Sequence, residues 1–204
     1  MTAQRLPLVR FGAVLLAPEA AIASIAANPP SGAGAFFGAA VWLGLLPPLF
    51  AVMGTMAFGW RLGVEPLYLP AATVVTIGAA YFVLLLFGFL STAAVARWMA
   101  STYGADTSWS RSFALVTLVG APLAIGSIVH LYPNAFVNVL VLVPTLIFSL
   151  YLLYRGLPAV MKTDSGRGML MASSLIAYLL VSWVTLLGIT AVLWSWGVGP
   201  NVAT

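Results

Sequence analysis

Cysteine is absent from the 204 residues of this chain, which excludes disulfides, thiolate nucleophiles and Cys-ligated metals. Histidine occurs once, at His130, and acids occur four times, at Glu19, Glu65, Asp106 and Asp164. One imidazole is not a metal site, and four scattered carboxylates are too few for most catalytic centres. The sequence has no Walker loop, nucleophile elbow, paired carboxylates or zinc motif. These absences leave no catalytic residue, no metal and no cofactor to expect. Charge is scarce too. Only 6% of residues are Asp, Glu, Lys or Arg, against about a quarter in soluble domains.

Apolar residues fill the space, at 62% of the chain and a mean hydropathy of +1.08. A soluble fold cannot hide that much apolar surface, whereas a bilayer replaces water as its solvent. Charges punctuate the chain at long intervals. Residues 20–60, 66–96, 112–154 and 168–204 hold no Asp, Glu, Lys or Arg. A membrane-spanning helix needs about 20 apolar residues, so the third interval has room for two spans and a tight hairpin. His130-Leu131-Tyr132-Pro133-Asn134 supplies the hairpin, because Pro stops a helix and the polar groups suit the water interface. Asn28-Pro29-Pro30-Ser31-Gly32 breaks the first interval early. Five spans follow, near 34–58, 69–95, 112–129, 134–154 and 169–196. All must be helical, because hydrocarbon cannot satisfy bare backbone and nothing alternates like a barrel strand. The expected fold is an all-α integral membrane bundle. Residues 1–33 form an amphipathic, interfacial amino-terminal segment, 34–196 the five-helix domain, and 197–204 a short tail.

The basic residues set the orientation. With the amino terminus in the cytoplasm, Arg5, Arg10, Arg97, Arg111, Arg155, Lys162 and Arg167 lie inside and only Arg61 outside, which satisfies the positive-inside rule. The carboxyl tail then lies outside, in a bacterial inner membrane. The pI of about 9.8 does not imply nucleic acid, since these residues do not cluster. They fit anionic lipid at the membrane surface instead. Arg5 and Arg10 ahead of residues 11–17 have the look of a short signal peptide, but cleavage would invert the charge balance. The favoured expectation is two short interfacial helices. Pro18 suits a helix start, Glu19 suits its positive dipole end, and Ile22 and Ile25 share a face.

Two stretches carry a family resemblance. The first is Phe11-Gly12-Ala13-Val14-Leu15-Leu16-Ala17-Pro18-Glu19-Ala20-Ala21-Ile22-Ala23-Ser24-Ile25-Ala26, followed by Asn28-Pro29-Pro30. The second is Tyr151-Leu152-Leu153-Tyr154-Arg155-Gly156-Leu157-Pro158-Ala159-Val160-Met161-Lys162-Thr163. The first resembles the opening of the bacterial branch of the Yip family, with Ile22 or a neighbour at the usual Trp position. The second is similar to that family's "Y-x-x-Y-x-G-L-P-x-x-M-x-T" segment after the fourth span. The family is named for eukaryotic members that interact with Ypt/Rab GTPases. Their acidic Asp-Leu-Tyr-Gly-Pro-like element is missing here, so Rab binding does not carry over. The resemblance implies five helices and a cytoplasmic amino terminus, and brings no biochemical activity.

The junction around residues 154–167 is the most distinctive candidate site. Gly156 and Pro158 are expected to stop the fourth helix. Tyr151 and Tyr154 sit at interfacial depth, and Arg155, Lys162 and Arg167 are candidates to hold a lipid head group or a partner's acidic surface. A capped helix end with ordinary anchors is the favoured reading of the same residues. Ser174, Tyr178, Ser182 and Thr185 fall at spacings of four, four and three, on one face of the last helix. That stripe either lines a polar path or packs against another helix, and packing is favoured because no ionisable group accompanies it. Gly34, Gly38 and Gly44 permit close helix approach, within the chain or in a homodimer. Pro47, Pro48, Pro122 and Pro144 are expected to kink their helices. His130 reads as a hairpin residue, Asn134 as a helix cap, and Asn138 as a group in need of a partner, such as another helix. The expected function is non-enzymatic, by contact with membrane lipids, other membrane proteins or a second copy, with an accessory-subunit role included. The alternative is a channel or transporter for a small neutral or hydrophobic solute.

Overall fold

The computed structural model describes residues 14–60 and 65–196, the side chains of Leu193 and Trp194 excepted. The tail 197–204, the segment before Val14, and Arg61 lie outside the described residues, as do Arg5 and Arg10. A short helix α1 (Pro18–Ala27) precedes five long ones: α2 (Gly32–Phe58), α3 (Ala71–Ala100), α4 (Trp109–Leu131), α5 (Ala135–Val160) and α6 (Ser165–Ser195). The shortest of the five, α4, has 23 residues. At 1.5 Å per residue it extends about 35 Å, more than the ~30 Å of hydrocarbon it has to cross. All five are apolar enough to span a membrane, as the charge-free intervals predict.

Several boundaries have visible causes. Ser31 accepts a hydrogen bond from the Gly34 amide at 3.0 Å and starts α2. Asn134 does the same for α5 from Val137 at 3.1 Å, as its position after Pro133 predicts. Pro18 occupies the first turn of α1, with Glu19 beside it. The end of α5 differs from expectation. Gly156 and Pro158 do not stop the helix, which continues to Val160. Pro158 removes only one backbone bond, close to an end whose carbonyls are free in any case. The stop comes at Lys162, whose φ is +53°. Thr163 N–H reaches back to the Pro158 carbonyl at 3.1 Å, the six-to-one bond of a left-handed cap. Gly156 instead serves packing, because a β-carbon there would press on Leu118 at 3.3 Å.

The helices traverse the prolines the sequence flags. Pro47 and Pro48 sit inside α2, Pro122 inside α4 and Pro144 inside α5. Each deprives a carbonyl four residues earlier of its amide partner. A π-helical turn, Phe36–Ala40, lies near the start of α2. The loop between α2 and α3 is closed by paired backbone bonds between Trp60 and Leu67, both 2.8 Å.

The third span is the centre of the bundle. Its most apolar window is 61% buried, while that of α6 is 6% buried. α4 packs on α2, α3 and α5, and α6 rests on α5 and α3. The largest core lies at the end that carries α1, built from Leu115 and Leu118 of α4, Leu152 and Leu157 of α5, and Met171 and Leu175 of α6. Ile22 and Ile25 of α1 join that core, so the face they share points into protein. Alanines and glycines set the helix spacing, as expected where lipid tails give helices little hydrophobic reason to associate. Gly44 approaches Leu86 of α3 within the chain, and Gly38 meets nothing within 4 Å.

Candidate functional site

At the α1 end of the bundle lie Arg97, Arg111, Arg155, Lys162 and Arg167, with the acids Glu19, Asp106 and Asp164. Arg111 is the least expected of them. It stands in the first turn of α4, where its own helix dipole disfavours a cation, yet it is only 6% exposed. Its Nε pairs with Asp106 Oδ2 at 3.1 Å. One terminal nitrogen donates to the Val160 carbonyl at 2.7 Å and to the Ala26 carbonyl at 3.1 Å. These carbonyls belong to the last turns of α5 and α1, whose dipoles present negative ends. The guanidinium thus compensates one unfavourable helix end with two favourable ones and binds three elements together. Sequence reasoning missed this role. The single available signal is a cation placed where a helix start would prefer an acid.

Around it the loops interlock. Asp106 N–H donates to the Met161 carbonyl at 2.7 Å, and Thr163 Oγ1 donates to the Tyr103 carbonyl at 2.8 Å. Burial pushes the Asp106 carboxyl up, but hydrogen bonds from Ser108 and the charges of Arg111 and Lys162 outweigh it and hold the group below the usual carboxylate range. Folding therefore lowers this pKa. Its stabilising contribution is complete above the unfolded value of about 3.9 and disappears as pH falls through the lower folded value. Acidification from about pH 6 to about pH 3 is expected to lower the unfolding midpoint of the wild type more than that of Asp106→Asn. Thermal melts across that range in detergent check this, and superimposable acid profiles for the two proteins would refute it.

The predicted junction residues divide into groups. Tyr151 donates its hydroxyl to Glu19 Oε1 at 2.8 Å, and Arg155 reaches the same oxygen at 3.2 Å. The Tyr151 hydrogen bond first, and Arg155 second, hold Glu19 below the usual carboxylate range. This trio docks α1 onto α5. Tyr154 points elsewhere, its hydroxyl 3.0 Å from Ser173 Oγ on α6. Arg167 pairs with Asp164 at 3.4 Å, three residues earlier, while the same carboxylate caps α6 through the Arg167 amide. Both the Arg155 and Arg167 pairs are exposed, so each contributes little to stability. Lys162 is exposed and occupies the left-handed cap itself. A side chain there costs about 1–2 kcal/mol that glycine would avoid.

In the polar stripe, Ser174 lies 2.7 Å from the Tyr103 hydroxyl, a bond between α6 and the loop after α3. Ser182 and Thr185 donate to the carbonyls of Tyr178 and Val181 on their own helix. Tyr178 is half-buried. Asn138 of α5 finds its partner across the hairpin, in the 3₁₀ turn Ser127–Leu131 that ends α4: its Oδ1 faces His130 Nδ1. Among the described residues no three His, Asp or Glu side chains cluster closely enough to hold a metal.

A family model described as the Yip1 domain matches residues 12–196. The inner membrane protein YohC of Escherichia coli K12 is 29% identical over 153 residues, covering 74% of this chain and 78% of that one. YohC of Escherichia coli O6:H1 matches to the same extent. No solved structure matches.

Proposed function

This chain belongs to the Yip1 domain family, and from that premise we propose that it is a non-enzymatic multi-pass protein of the inner membrane. It acts by contact with anionic lipid head groups or with the acidic surface of a membrane partner, a role that includes accessory subunit of a larger complex. Its amino terminus lies in the cytoplasm and its carboxyl terminus outside. The name of its E. coli relative supports the location, and the distribution of Lys and Arg supports the orientation.

One observation carries the contact reading. Lys162 occupies a left-handed position that glycine would hold without strain. Its side chain is exposed, and the ion pairs of Arg155 and Arg167 at the same end of the bundle are exposed and easily exchanged. An incoming phosphate or carboxylate can take those two guanidinium groups from Glu19 and Asp164 at little cost.

The test is the triple variant Arg155→Gln, Lys162→Gln, Arg167→Gln, purified in mild detergent. Each surface cation near anionic lipid is worth about 1 kcal/mol. Discounting the two existing pairs, retention of phosphatidylglycerol or of an acidic partner is expected to fall about tenfold or more. Unchanged retention would return these residues to anchoring alone. Flux of a small neutral solute into liposomes holding only the purified protein would favour transport instead.

A further inference from the structure

The other end of the bundle holds a half-open cavity of about 420 Å³. Val52 and Thr55 of α2, Val74 and Tyr81 of α3, and His130 and Asn138 at the hairpin line it. An engineered apolar cavity of about 150 Å³ already binds benzene, and small-molecule sites start near 300 Å³. At about 30 Å³ per water-sized unit, this one holds on the order of a dozen non-hydrogen atoms.

Its chemistry is specific. Apolar side chains dominate, and among the described residues no Asp, Glu, Lys or Arg lines it. The hydroxyls of Thr55 and Tyr81 have no hydrogen-bond partner among the described residues. Tyr81 lies ten residues into α3, about 15 Å along the axis. A hydroxyl that faces apolar side chains without a partner gains from a ligand that supplies one. The third polar group has a defined tautomer. Asn138 donates its amide protons to the carbonyls of Tyr132 at 3.2 Å and Asn134 at 2.7 Å, so its Oδ1 accepts from His130 Nδ1–H. In the neutral ring Nε2 is left as an acceptor. The described lining therefore offers the hydroxyls of Thr55 and Tyr81, the indole N–H of Trp60 and the His130 ring.

We propose that this cavity binds an uncharged alcohol dissolved in the membrane: one apolar chain of about a dozen heavy atoms ending in a hydroxyl. The chain fills the apolar volume, and the hydroxyl completes the hydrogen bonds that Thr55 and Tyr81 lack. A carboxylate or ammonium head group finds no counter-charge among the described lining residues, and a plain hydrocarbon leaves both hydroxyls unpaired.

The experiment uses the full chain in phosphatidylcholine nanodiscs with a diazirine-bearing dodecanol as the probe. Cross-links are mapped by mass spectrometry and competed with dodecanol, dodecane or laurate. Labelling is expected to concentrate on the α2, α3 and hairpin peptides. It should be suppressed by dodecanol and survive equal amounts of dodecane and of laurate at neutral pH. The near-isosteric double variant Thr55→Val, Tyr81→Phe is expected to reduce it about tenfold or more. Should that variant misfold, the competition in the wild type decides alone. Labelling spread over the lipid-facing surfaces of α3, α5 and α6, or equal competition by all three compounds, overturns the proposal. So does undiminished labelling of a folded double variant, which would leave water as the partner of the two hydroxyls.

Discussion

Arg111→Met is expected to lower the midpoint of thermal unfolding in detergent by on the order of 10 °C. The variant leaves the Asp106 carboxylate without its closest cation and deprives the Val160 and Ala26 carbonyls of a donor. Breaking one partner of a fully buried ion pair costs about 3–5 kcal/mol, an upper figure here because the Asp106 side chain is 33% exposed. For a chain of this size each kcal/mol moves the midpoint by about 2–4 °C. Arg167→Met is the control, since it also breaks an ion pair but an exposed one, worth at most about 1 kcal/mol. Equal shifts for the two variants would show that the Arg111 network is not what joins α1, α4 and α5.

The second large effect comes from a single methyl group. A β-carbon at Gly54 would lie 2.7 Å from the Leu131 carbonyl oxygen and closer still to that of His130. Both obstacles are backbone, so no rotamer relieves the collision, and α2 must move away from the hairpin. Gly54→Ala is expected to destabilise by about 2–3 kcal/mol or more and to expose the 130–134 segment to protease. Gly38→Ala makes the same chemical change where nothing lies within 4 Å. It should be neutral or gain up to about 1 kcal/mol from helix propensity. Paired melts and limited proteolysis check both, and a Gly54→Ala protein as stable as wild type would refute the close approach.

The five spans were legible because one variable, the absence of charge over 20 or more residues, decides whether hydrocarbon can surround a segment. Asn134 and Pro18 were legible because capping and helix starts are local. What failed was the end of α5. Gly156 and Pro158 look like a stop, yet the first is an interhelical contact with Leu118 and the second falls where few backbone bonds remain to lose. A lysine in the left-handed position, where glycine is usual, gives no local signal. The candidate site was half legible. Tyr151, Arg155, Lys162 and Arg167 do gather at one end of the bundle, but Glu19, which Tyr151 and Arg155 hold, lies more than 130 positions away. No periodicity joins residues so distant. Arg111 was counted only as a topology signal, because its burial depends on where α1 and α5 end in space. His130 and Asn138 were each noted, but their pairing needs the 3₁₀ turn Ser127–Leu131 at the end of α4 that brings them together.

The central position of α4 bears on how the protein is made. In a nascent chain that has released only its first three spans, Leu152 and Leu157, which share a core with Leu115 and Leu118 in the finished bundle, are still to be synthesised. The bundle closes only when the fourth span leaves the translocon. The last span, joined mainly through Met171, Ala172 and Leu175, is then added to an interior already largely assembled.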